Sequence, residues 1–151
     1  EYVALEGFSY GSFGINYEIG QFAGLIKYSL YELGIKIRIF DINTIKLFAT
    51  GSGSADKLDM YEALLKLNPE KYDISDLPPV TLQKRKKGVS PTSDVVDSFH
   101  ICNLLYTELM LRKAKVSLKD FSDKMIMVFN RTTKAHPTNI LATDFLQIGD
   151  N

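Results

Sequence analysis

A single cysteine, Cys102, leaves the chain without the means to form an internal disulfide, and its apolar neighbours suggest a small buried hydrophobe. No run approaches the ~18 apolar residues of a membrane span, and no signal-peptide pattern shows. Neither sign of charge dominates: 18 Lys and Arg balance 18 Asp and Glu. The global basic signature of a nonspecific nucleic-acid binder is therefore missing, although charge can still concentrate on one face. Two local basic clusters exist, Lys84-Arg85-Lys86-Lys87 and Arg112-Lys113-Ala114-Lys115. The phosphate-loop spacing Gly-x-x-x-x-Gly-Lys is absent, so no nucleotide cofactor is expected. Internal repeats and low-complexity tracts are absent too. What remains is an ordinary soluble composition, 45% apolar over 151 residues, enough for one core with a small appendage.

Along the chain the pattern is α/β. Residues 2–5 form a short apolar run ending in Glu6, best taken as a buried strand. The loop from Gly7 to Ile15 sets Phe8, Tyr10 and Phe13 among glycines. Residues 17–33 read as a helix that stops at Gly34, a natural left-handed cap. Within it Gly20 and Gly24 sit one turn apart and permit close approach of another backbone, against the sheet or across a dimer. Ile35 to Phe40 alternates apolar and basic residues, the period of a half-buried strand. Asn43 is expected to cap a short helix over 44–49. Gly51-Ser52-Gly53 then breaks the chain before a helix over about 55–67, which Asn68-Pro69 stops. Such a turn invites an anion, because free N–H groups and the helix dipole point at it, and Lys57 adds a positive charge. Residues 68–92 are irregular, either a solvated loop or a basic arm that meets phosphates. The longest helix runs from Ser93 to about Lys113, and a tail helix from Ser117 to about Phe129. Beyond it, Asn139 to Leu146 is apolar enough to dock on the core or on a second subunit.

The chemistry is carried by carboxylates. Glu6 ends a strand and so stands at the rim of a sheet. Asp94 and Asp97 are three apart, on one helical face, with Cβ atoms roughly 5–6 Å apart. If that helix packs beside the strand end, three negative charges converge and call for a divalent cation with hard oxygen ligands, Mg²⁺ or Mn²⁺. Taken alone, Asp94-x-x-Asp97 is equally what a helix's first turn carries to complement its dipole. His100 lies one turn after Asp97, as a structural histidine or as a group near the metals.

The order of these segments is informative: Tyr2-Val3-Ala4-Leu5-Glu6-Gly7-Phe8, then Ile19-Gly20-Gln21-Phe22-Ala23-Gly24, then Gly51-Ser52-Gly53-Ser54-Ala55-Asp56-Lys57, then Asp94-Val95-Val96-Asp97-Ser98-Phe99. Over roughly residues 1–112 it resembles the RuvC family of Holliday-junction resolvases. The resemblance implies an RNase H-like mixed sheet flanked by helices. It implies a nuclease core over 1–113 with a C-terminal extension over 114–151. It also implies a Mg²⁺- or Mn²⁺-dependent endonuclease that resolves four-way and branched DNA. Glu6, Asp94 and Asp97 would be its catalytic metal ligands. Lys46 and Lys57 would face the DNA backbone, joined by Lys84, Arg85, Lys86 and Lys87 of the basic arm. Phe8 or Tyr10, beside Glu6, would stack on unpaired bases or simply pack the loop. The family acts as a homodimer, one site per strand, here in the cytoplasm of a bacterial or phage-infected cell.

The chain departs from the family in one respect. It opens at Glu1, five residues before Glu6, so the family's first three strands and the Asp on the first of them have no counterpart. The chain therefore reads as partial, lacking one metal ligand and half a sheet. Two rivals stand beside the resolvase: an inert RNase H-like DNA-binding or scaffold protein, and another nuclease or transposase of that fold.

Overall fold

The computed structural model describes residues 1–7, 16–67, 91–130 and 140–146. Among these the architecture is α/β, with a small parallel two-stranded sheet and five α-helices. Strand β1 (Tyr2–Glu6) pairs with β2 (Lys36–Phe40), Glu6 opposite Phe40. Parallel pairing needs a long crossover, and helix α1 (Asn16–Glu32) lies in it. That helix ends as its sequence requires: Gly34 takes a φ of +67°, and its N–H bonds the Tyr31 carbonyl at 2.7 Å.

Side chains alternate along β2, so Lys36, Arg38 and Phe40 share one face while Ile37 and Ile39 share the other. The alternation of apolar and basic residues marked a half-buried strand, and on its basic side Arg38 is nonetheless only 4% exposed. The reason lies seventy residues away, where Glu108 accepts both a 3.0 Å bond from Arg38 Nε and a 2.6 Å bond from Nη2.

Helix α2 (Ile42–Thr50) follows β2 at once, and Asp41 rather than Asn43 caps it. Asp41 is extended (φ −68°, ψ 141°) and its carboxylate accepts from Asn43 N at 3.0 Å, so helical backbone begins earlier than expected. Gly51 closes α2 in the left-handed region, φ +78°. Helices α3 (Lys57–Leu67) and α4 (Pro91–Arg112) complete the middle of the chain. At 22 residues, α4 is about 33 Å long and packs across both α3 and β1.

Cys102 is exposed, contrary to its apolar setting in the sequence. The buried residues of α4 include Val96, His100, Leu104, Thr107 and Glu108, a stripe of three- and four-residue steps. Cys102 falls two residues after His100, about 200° round the helix, and so faces water.

The tail also differs from expectation. Ser117 caps a 3-10 turn, Leu118–Asp120, instead of a long helix. Ser117 N donates to the Asp120 carboxylate at 2.8 Å, and Phe121 then turns extended, so helix α5 starts only at Asp123 and runs to Asn130. Val128 and Phe129 of α5, with Ile140, fill the same core as Phe40, Ile45, Phe48, Met60 and Leu104. Phe129 meets Phe48 edge to face at 6.1 Å between ring centres. Finally, Leu146 pairs antiparallel with Ile37 and covers the outer edge of β2. None of the described helices is long and apolar enough to cross a membrane.

Candidate metal and nucleic-acid site

In a parallel pair both strands end at the same rim. The Glu6–Phe40 register therefore places Asp41, the next residue, beside Glu6. Helix α4 packs on β1 and brings its first turns to that rim. The charges register one another. Glu6 is held above the ordinary carboxylate range first by partial withdrawal from water, then by the charge of Asp97 and, more weakly, Asp41. Lys46 and Lys57 oppose that rise. Asp97, half-buried, is raised in the same way, by desolvation and then by Asp94, against Lys57, His100 and Lys46. Glu6, Asp94, Asp97, Lys46 and Lys57 thus gather from β1, α2, α3 and α4. Four acids, Asp41 among them, and two lysines, scattered over about ninety residues, share one electrostatic neighbourhood.

Lys57 is aimed into this group. Its Nζ donates to Ser93 Oγ at 2.8 Å, and Ser93 Oγ in turn lies 3.5 Å from Asp94 Oδ1. Ser93 is buried, 2% exposed, so the lysine is anchored to the first turn of α4.

The anion expected at the head of α3 meets amides already in use. Asp56 Oδ1 accepts from Leu58 N at 2.8 Å and from Asp59 N at 3.0 Å, while Asp59 Oδ2 accepts from Asp56 N at 2.9 Å. This reciprocal cap occupies the amides of Asp56, Leu58 and Asp59, three of the donors an anion would otherwise meet.

His100 points elsewhere. It is fully buried, and its Nε2 sits 2.9 Å from the Met60 carbonyl, which can only accept. Nε2 therefore carries the proton, and among the described residues Nδ1 has no hydrogen-bond partner. Burial pushes the imidazole below its ordinary range, so the ring is neutral at pH 7. Its role is to pin α4 to α3, one turn beyond Asp97. Phe8, Tyr10, Lys84, Arg85, Lys86 and Lys87 lie outside the described residues.

Two residues of the neighbourhood were not singled out from the sequence. Asp41 was legible from the strand pair, because the residue after β2 must join the residue ending β1. Ser93 carried no signal beyond standing before Asp94.

Among the described residues, no three of His, Cys, Asp and Glu stand close enough together to hold a metal ion. Comparison with protein-family models, with curated proteins and with solved structures yields no match.

Proposed function

We propose that the chain is the RNase H-like core of a RuvC-like, metal-dependent endonuclease that resolves four-way and other branched DNA. The observation that carries this reading is the electrostatic coupling of Glu6 with Asp97, Lys46 and Lys57, and of Asp97 with Asp94, where α4 packs on β1. Divalent Mg²⁺ or Mn²⁺ suits the donor set in its chemistry. Glu6 and Asp97 are hard oxygen donors whose proton affinity is raised first by partial burial and then by a neighbouring carboxylate, Asp97 for Glu6 and Asp94 for Asp97, and a cation in the same place would relieve that repulsion. When bound, such ions supply an activated water and stabilise the departing 3′ oxygen.

The chain's own residues have separate tasks in this reading. Glu6, Asp94 and Asp97 would hold the cation. Lys46 and Lys57 draw the scissile phosphate to the acids and offset their charge. Ser93 fixes the Lys57 ammonium, and His100 fixes the angle between α3 and α4 without exchanging protons at neutral pH. The homodimer the family uses finds support in α1, where Phe22 and Leu25 are each 67% exposed and no described residue comes within 4 Å of where a Cβ would stand on Gly20 or Gly24. Apolar surface of that kind on one helix suits a symmetrical partner.

The inert DNA-binding alternative draws on a different observation, that no three described ligands already stand in a metal-holding arrangement. One experiment separates the readings: incubation of the protein with four-way, Y-shaped and linear duplex DNA in Mg²⁺. Symmetrical nicking of the four-way junction supports the resolvase. Tight junction binding without nicking supports the inert protein, and equal cutting of linear duplex supports another nuclease of the fold.

A further inference from the structure

A dense polar network lies not among the acids but at the other end of α4. Arg38, 4% exposed, and Glu108, fully buried, form a two-pronged ion pair. Arg112 adds a second guanidinium, its Nε 2.8 Å from Glu108 Oε1. Two positive charges against one negative leave a surplus, and the segment 140–146 meets it. Arg38 Nη1 donates to Thr143 Oγ1 and to the Asp144 carbonyl, each at 3.1 Å, and its Nη2 to the Thr143 carbonyl at 3.0 Å. Arg112 Nη2 donates to the carbonyls of Ile140 and Thr143, both at 2.6 Å. The ring of Phe145 lies under both guanidiniums, 4.4 Å and 5.1 Å from their centres.

This arrangement couples three pieces of the fold: β2 through Arg38, α4 through Glu108 and Arg112, and the strap 140–146 through its carbonyls. A forked guanidinium–carboxylate pair fixes position along a helix as well as charge. Sliding α4 by one turn, about 5.4 Å, breaks both prongs and leaves buried charge without a partner. Eleven residues earlier on the same helix, about 16 Å away, Asp97 stands where α4 packs on β1, the strand that ends in Glu6, so the triad's hold on β2 also fixes that end of α4 against the sheet.

We infer that Arg38, Glu108 and Arg112 are positioning residues that set the register of α4 on the sheet, so holding Asp97 beside Glu6, and that strap 140–146 locks them; this rests on reading that acid cluster as a metal site. The test uses the full chain. The apolar variant Arg38→Met/Glu108→Leu/Arg112→Met exploits the fact that a buried ion pair can often be replaced by apolar residues without loss of stability, Arg112 being the partly exposed member here. Spin labels at Asn43→Cys and Ser98→Cys, with Cys102→Ser, report the distance from the start of α2 to α4. Mn²⁺ alone, followed by electron paramagnetic resonance, reports the acids.

The expected result is a variant that melts like wild type, shows a shifted or broadened label distance, and binds Mn²⁺ about 10–100-fold more weakly. A stable variant with the wild-type distance overturns the inference and makes the triad a stability device only. If the apolar variant does not fold, Thr143→Ala, which removes one strap acceptor, takes its place. Faster hydrogen exchange at Leu146 with a broadened distance then supports the inference, and faster exchange with an unchanged distance overturns it. Absence of Mn²⁺ binding by the wild type sinks the metal reading alone, because the label distances still decide the register.

Discussion

Lys57 reaches from the first residue of α3 to Ser93 on α4, a hydrogen bond of 2.8 Å between residues 36 positions apart. It thereby holds a positive charge beside two carboxylates and ties together two helices whose starts frame the site.

If Lys57 meets a backbone phosphate, Lys57→Ala should weaken junction binding and reduce the slope of log K against log salt by about one. Binding measured over a salt series decides the matter. An unchanged slope would leave Lys57 as a bracket between helices and nothing more.

Asp97→Asn should abolish nicking, a larger loss than the roughly 10–100-fold that outer-shell partners cost. The same change should stabilise the protein at neutral pH. A carboxyl whose proton affinity is raised on folding binds more protons in the native state through the window from the ordinary carboxylate range up to its raised value. Stability therefore falls as pH climbs through that window and stays lower above it. Asn removes the charge, so the melting temperature should rise by a few degrees at pH 7, with the gain shrinking on acidification. A melting temperature that falls at pH 7 would contradict the repulsion.

The buried imidazole runs the other way. His100 is lowered on folding, so the unfolded chain binds the extra proton as pH drops below the ordinary histidine range, and stability falls there. His100→Gln, which can place an N–H where Nε2 stands, should flatten this acid limb while keeping the Met60 bond. Denaturant melts at a series of pH values would reveal an unaltered limb if the assignment is wrong.

Much of this fold could be read in the sequence, because local pattern governs it. The glycine at 34 ended α1, alternation marked β2, and acid spacing at Asp94 and Asp97 placed both on the opening turns of α4. What escaped was decided by distant partners or by helical phase. Nothing near Arg38 announces Glu108, so a basic residue in an alternating strand reads as solvent-facing until its counter-charge is known. Cys102 could have been placed by counting its angle from Val96 and Leu104 instead of by the apolarity of its neighbours. Asp41 could have been placed from the strand pair, because the residue after β2 joins the rim where β1 ends.

Cys102 supplies a simple check on that phase. The native protein should react with a thiol reagent at the rate of a free exposed cysteine, and Cys102→Ser should alter stability by no more than about 0.5 kcal/mol. Protection until the protein unfolds would place the thiol inside.

Synthesis runs from the amino end, and this gives the strap a temporal meaning. Arg38 leaves the ribosome well before Asp144, the residue 106 positions later whose carbonyl it binds. Until then the outer edge of β2 is open and two guanidiniums share one carboxylate. Locking of this part of the fold therefore waits for residues 140–146 to emerge, and a nascent chain halted short of Ile140 should be cut by protease where a chain carrying that strap resists.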